Sequence, residues 1–120
     1  MCFLKAQFFF FNGFDKDKQD QHLERVDLTA YVYGNAQNLA RVLSQIGDSD
    51  GAAKYEAVAA KIRSAVEKTM WDQSTEFFYS VEPVSGDKAL VKEIVGVYPF
   101  YFSMFDESSG KAYVGAWKSV

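Results

Sequence analysis

Two amphipathic segments joined by a short polar turn constrain the fold of this chain more than any other sequence feature. In the first segment, apolar residues recur every three or four positions and so share one helical face; they are Leu28, Val32, Ala36, Leu39, Leu43 and Ile46. Asp27 precedes this stripe as a candidate N-cap, and Gly47 follows it where a left-handed residue is favoured. The pattern predicts one long helix between them.

A second helix is predicted from about residue 51 to residue 70, with Asp50 as its N-cap. Its apolar stripe consists of Tyr55, Val58, Ala59, Ile62, Val66 and Met70. Two amphipathic helices joined by so short a turn pack as antiparallel neighbours, so we expect a helical hairpin. The first helix also carries Tyr31, Tyr33 and Val42 outside its stripe, which predicts an inner helix covered on more than one side.

The flanking segments do not continue this helical period. Residues 1–25 predict an extended or loop lead-in, and the aromatic segment 76–81 predicts a β-strand or hairpin arm followed by a turn. Residues 90–97 fit a second arm or a loop, and Pro99 suits the start of a third helix through Phe105. The expected fold class is mainly α with a short β-hairpin or strand insertion. We divide the single unit 1–120 into a lead-in (1–25), a helical hairpin (26–71), a strand and turn region (72–97) and a further helix (98–120).

Composition and charge narrow the possible partners. Aromatic residues make up 17% of the chain, which fits either a thick aromatic core or a cleft that binds sugar rings. The net charge of −3 and the lack of a dense Lys/Arg patch argue against nucleic acid. We find no signal peptide or apolar run long enough to span a membrane, so a membrane partner is not expected and the cytoplasm is slightly favoured.

Several short motifs follow one another in a characteristic order. Asp27-Leu28-Thr29-Ala30 opens the first helix and Gly47-Asp48 ends it; Met70-Trp71-Asp72, Phe77-Phe78-Tyr79 and Gly96-Val97-Tyr98-Pro99 follow. This order, over roughly residues 25–105, resembles the six-hairpin (α/α)6-barrel glycoside hydrolases of the mannosylglycerate hydrolase, trehalase and processing glucosidase group. The resemblance implies a partial (α/α)6 toroid of helical hairpins around a central saccharide pocket.

The resemblance also implies a reaction. Such enzymes cleave a glycosidic bond with two carboxyl groups, one as general acid and one as general base, usually with inversion. The family's general base would lie beyond Val120, so we expect a fragment whose remaining barrel is missing and which is inactive alone. The expected substrate is an α-linked saccharide, and no cofactor is implied.

The resemblance points to particular residues as the candidate acid and the candidate ligands of the sugar. The family's general acid lies in a Gly-aromatic-Asp setting, which makes Asp15 the candidate acid, although Lys16-Asp17-Lys18 departs from the family pattern and a solvated loop role stays open. Asp27 fits a helix cap, a ligand for sugar hydroxyls, or both. Glu93 fits substrate binding or an ion pair with Arg25 or Lys92. Tyr33 and Asn35 complete the substrate-binding candidates.

Two other interpretations concern a metal site and a repeat protein. His22 is the single histidine and has no Cys or carboxylate cluster at ligand spacing, so no metal site is expected. The helical hairpin also imitates a tetratricopeptide unit, which would make the chain a protein-binding module without catalysis. That alternative requires stacked repeats, and the sequence contains one hairpin.

Overall fold

The computed structural model describes residues 11–12, 22–106 and 115–116. The elements in chain order are β1 (Phe11–Asn12), β2 (His22–Leu23), α1 (Val26–Gln45), α2 (Ser49–Thr69), β3 (Trp71–Asp72), β4 (Phe77–Phe78), a 3-10 helix (Ile94–Val97) and α3 (Tyr98–Tyr101). The predicted class, mainly helical with a short antiparallel hairpin, is confirmed.

The turn between α1 and α2 forms as the sequence predicts. Gly47 has a φ of 86°, in the left-handed region. Its N–H donates to Ser44 O at 3.2 Å, and the N–H of Asp48 donates to Leu43 O at 2.9 Å. These are the two hydrogen bonds of a Schellman motif, and they reverse the chain so that α2 packs along α1.

Both predicted N-caps are wrong by two positions in the sequence. Helix α1 starts two residues earlier than an N-cap at Asp27 implies, so Asp27 lies inside its first turn, and the N–H of Val26 donates to the Ser80 hydroxyl at 3.4 Å. Helix α2 is capped by Asp48, whose Oδ1 accepts from Gly51 N at 2.9 Å, while Asp50 lies in the first turn. In each case a neighbouring oxygen has the geometry that a cap requires.

The core lies on a different face of α1 from the predicted stripe. Of that stripe only Ala36 is buried, whereas Leu39 and Ile46 are 38% and 73% exposed. The residues of α1 that enter the core are Val26, Ala30, Tyr33 and Ala36. The stripe of α2 is confirmed in Ala59, Ile62, Val66 and Met70, which pack in the same cluster with Phe78, Val81, Met104 and Phe105.

A β-hairpin follows α2. Trp71 pairs with Phe78 and Asp72 with Phe77 in antiparallel register. Asp72 Oδ1 organises the intervening turn, because it accepts hydrogen bonds from Ser74 N at 3.0 Å and Thr75 N at 2.9 Å. These bonds, with that from the Ser74 hydroxyl as the largest contribution, lower the pKa of Asp72 to about 2.

An antiparallel bridge joins the hairpin region to the residues just before α1. The Glu24 N–H donates to Val81 O at 2.8 Å and Val81 N–H donates to Glu24 O at 3.1 Å. Strands β1 and β2, both within the predicted lead-in, pair antiparallel just before this bridge. The entry to α1 is therefore fixed by residues far away in sequence.

The third helix is shorter than predicted. Pro99 lies in its first turn as expected, but α3 ends at Tyr101 rather than continuing through Phe105. Ser103 adopts a left-handed φ of 53°, which breaks the helix and returns the chain toward the core. None of the helices in the described ranges is long and apolar enough to cross a membrane.

Candidate functional site

The first turn of α1 carries a paired arginine and carboxylate. Arg25 Nε lies 3.1 Å from Asp27 Oδ1, and Arg25 Nη2 lies 3.4 Å from Asp27 Oδ2. Each side chain keeps 18% of its surface exposed. The hydrogen bond to Asp27 raises the pKa of Arg25, partial burial opposes that rise, and the charges of Asp27 and Glu93 add to it.

Glu93 is therefore close enough to act electrostatically on the same guanidinium. It lies just before the 3-10 helix, in an extended conformation, and is exposed. Asp27 pairs directly with Arg25, and the charge of Glu93 acts on the same guanidinium although its position is separated by most of the described chain. We call these three residues at the entry to α1 the Arg25 cluster (Arg25, Asp27 and Glu93).

Aromatic side chains border the Arg25 cluster. Tyr31, one helical turn beyond Asp27 and 46% exposed, lies 5.6 Å from Tyr98 and 4.9 Å from Phe102 between ring centroids. The neighbouring phenol of Tyr98 is the main cause of a raised pKa of Tyr31, and the Asp27 carboxylate contributes last. Carboxylates, a guanidinium and phenols together can bind a polyhydroxylated ring through hydrogen bonds and ring contacts.

The predicted site residues do not all lie in one place. Asp27 forms an ion pair with Arg25, whereas Glu93 acts on Arg25 only through its charge and forms no ion pair with it in the described residues. Asn35 is exposed and follows Asp27 and Tyr31 at helical spacing, on the same face of α1. Tyr33 lies on another face, is 6% exposed, and its hydroxyl accepts from Gln37 Nε2 at 3.2 Å. Asp15 lies outside the described residues.

Comparison with known proteins identifies the family. Residues 8–119 match the family model described as "Mannosylglycerate hydrolase MGH1-like glycoside hydrolase domain". The chain belongs to this glycoside hydrolase family. The resemblance based on the sequence motifs is confirmed, and the match favours it over the tetratricopeptide alternative.

A solved structure gives a second comparison. A protein titled "Sialidase" superimposes with a TM-score of 0.75 at 31% identity, over 82% of this chain. The aligned region is 9% of that protein, so the chain spans a small part of the length of this structural relative. The helical hairpin and the segments around it are therefore arranged as in a much longer protein.

Two residues of this member of the glycoside hydrolase family were not predicted as site residues. The sequence predicts Arg25 only as a partner of Glu93, and its bidentate pairing with Asp27 depends on a start of α1 two residues earlier than the predicted N-cap implies. Tyr98 belongs to the motif Gly96-Val97-Tyr98-Pro99, and this motif is the sequence signal that could have identified it. Within the described residues, no three His, Cys, Asp or Glu side chains are grouped to hold a metal ion.

Proposed function

We propose that this chain forms part of the wall of a saccharide pocket in a glycoside hydrolase, with Asp27 and Glu93 as acceptors for sugar hydroxyls. The observation that carries the proposal is the bidentate Arg25–Asp27 pair in the first turn of α1, with the exposed Tyr31 one helical turn further on and the charge of Glu93 acting on the same guanidinium. The family match supports the same class of substrate.

The chemistry of the Arg25 cluster suits sugar hydroxyls. An ionised carboxylate has about four lone-pair sites, so Asp27 can bind Arg25 and still accept a hydroxyl hydrogen. The carboxylate of Glu93 makes no hydrogen bond within the described residues, so its oxygens are available to a ligand. The ring of Tyr31 offers an apolar face for the C–H side of a pyranose.

The proposed reaction follows from the family and not from the Arg25 cluster alone. In the whole enzyme, a carboxylic acid protonates the leaving glycosidic oxygen while a carboxylate about 6.5–9.5 Å away activates water, which inverts configuration. Asp15 is our candidate for the acid. The base would come from outside this chain, so the purified chain of 120 residues should not hydrolyse an aryl α-glycoside.

A titration of the isotope-labelled chain, followed by NMR, tests the binding part of the proposal. The family description names mannosylglycerate hydrolase and the solved relative is titled a sialidase, so mannosylglycerate and a sialoside are the first two ligands. Signals of Asp27, Tyr31 and Glu93 should shift with one of them. Glu93→Gln should weaken that binding about tenfold, the effect of losing a hydrogen bond to a charged group.

Asp87→Asn is the matched control. Asp87 is exposed, lies on the turn after Val81, and its carboxylate makes no hydrogen bond in the described part of the chain. It should bind the ligand like the wild type. Equal binding by Glu93→Gln and the wild type, or shifts confined to other residues, would contradict the proposed role of the Arg25 cluster. Turnover of an aryl glycoside by the purified chain would contradict the expected inactivity.

A further inference from the structure

A concavity lies further along α1, away from the Arg25 cluster. Its volume is about 240 Å³, and α1 and the chain just after α3 form its walls. The polar side chains that line it belong to Tyr33, Gln37, Asn38, Arg41, Tyr101 and Ser103. At roughly 1.5 Å per residue, its centre near Gln37 is about 15 Å along the helix from Asp27. We call it the Arg41 pocket.

The charged lining of the Arg41 pocket is positive. Arg41 is exposed and forms no ion pair or hydrogen bond with any described residue, and none of the lining residues is acidic. Asn38 likewise has no hydrogen-bond partner among the described side chains. An Arg guanidinium presents a planar set of donors that matches a carboxylate or phosphate. The pocket therefore offers a cation and an amide to an anionic ligand that also accepts hydrogen bonds.

The remaining walls suit a ring. The ring of Tyr101 is 76% exposed and lies 5.0 Å from Phe102 in an edge-to-face contact. Ser103 reaches the pocket through its left-handed backbone, a conformation that is unfavourable for a residue other than glycine. Such outliers concentrate at ligand sites, where the surrounding structure holds them. Aromatic and hydroxyl groups therefore line the pocket together with Arg41.

The size limits the ligand to a small molecule. Pockets for drug-sized ligands measure roughly 300–1,000 Å³, and the Arg41 pocket is smaller than that. From these features we infer that the Arg41 pocket binds one sugar ring that bears a carboxylate, a hexuronate, with the carboxylate on Arg41 and the ring against Tyr101. A carboxylate is preferred to a sulfate or phosphate because it adds the least volume. The inference does not depend on hydrolysis at the Arg25 cluster.

Titration of the isotope-labelled chain with glucuronate, followed by NMR, tests the inference. The signals of residues 33–41 and 101–103 should shift. Arg41→Gln should weaken binding by up to about five-fold, which is the largest effect usually measured for one exposed charge pair. Asn38→Ala should weaken binding in the same direction. Lys61→Gln removes an exposed cation from α2, away from the pocket, and should leave the affinity unchanged.

Three further ligands decide which part of the ligand is recognised. Glucose should bind up to about five-fold more weakly than glucuronate because it lacks the carboxylate that pairs with Arg41, and acetate should also bind more weakly because it lacks the ring. Equal binding of glucose would overturn the anionic assignment, and equal binding of acetate would overturn the sugar assignment. Tighter binding of glucose 6-phosphate would overturn the choice of a carboxylate, and no shift with glucuronate would overturn the site.

Discussion

At the scale of single residues, the start of α1 depends on a hydroxyl that the local sequence does not contain. The Val26 N–H donates to Ser80 Oγ, and Ser80 is 7% exposed. A helix begins with N–H groups that lack partners in the helix, and here a residue from the β-hairpin region supplies one acceptor. Local patterns locate α1 but not its cap, because the partner is 54 positions away.

Ser80→Ala should lower the free energy of unfolding by about 1 kcal/mol, the usual cost of losing a cap. Urea denaturation followed by circular dichroism measures this. Ser64→Ala is the control, since Ser64 is exposed in the middle of α2 and alanine is favoured there. A loss for Ser80→Ala no larger than that for Ser64→Ala would show that the 3.4 Å contact contributes nothing.

The lowered pKa of Asp72 predicts that the folded chain loses stability in acid. Its pKa in the folded chain is about 2, below the ordinary value of 3.8. Since the folded state binds the proton less readily than the unfolded state, its stabilising effect is present above the unfolded pKa and is lost as the pH falls from about 5 toward 2. The urea midpoint of the wild type should therefore drop over this pH range.

Asp72→Asn should flatten that drop, because an amide can still accept from Ser74 and Thr75 but does not ionise. Asp87→Asn should retain the wild-type dependence on pH, since the Asp87 carboxylate accepts no hydrogen bond in the described ranges. Identical pH profiles for the wild type and Asp72→Asn would show that protonation of other carboxyl groups accounts for the drop.

At the scale of elements, helix α1 and the segment after α3 touch through a glycine. A Cβ atom at Gly34 would lie 2.4 Å from Phe102 Cδ1 and 2.8 Å from Phe102 Cε1, both in the side chain. The sequence indicated that α1 would be covered on several sides, and Gly34 is the position where an aromatic ring reaches its backbone. It did not indicate Phe102 as the partner, since that residue was assigned to a third helix that ends earlier.

Gly34→Ala should destabilise the chain by about 1–3 kcal/mol, because the added methyl overpacks against the Phe102 ring. In a Phe102→Ala background the same change should stabilise by up to about 1 kcal/mol, since the clash is gone and alanine favours a helix over glycine. The double-mutant cycle is measured by urea unfolding. The same sign in both backgrounds would show that Phe102 is not the obstacle.

At the scale of the whole molecule, the helical hairpin leaves an apolar strip of α1 exposed. Leu39, Val42 and Ile46 follow one another at helical spacing and are 38%, 53% and 73% exposed. Leu39 and Ile46 belong to the predicted apolar stripe and Val42 lies beside it, but periodicity reports apolar faces and not which of them will be buried. The face toward α2 is lined by small residues such as Ala36 and Ala40, which allow close approach of the helices.

This exposed strip should bind a hydrophobic dye. Val42→Lys at its centre should reduce the fluorescence of the dye ANS, because a charge interrupts the contiguous apolar surface. The free energy of unfolding should change by no more than about 0.5 kcal/mol, as for other surface substitutions. Ala60→Lys adds the same charge at an exposed position of α2 and should leave the dye signal unchanged. Unchanged fluorescence for Val42→Lys would mean that the dye binds another part of the chain. A large loss of stability would mean instead that Val42 packs against the protein in solution and that this face of α1 is covered.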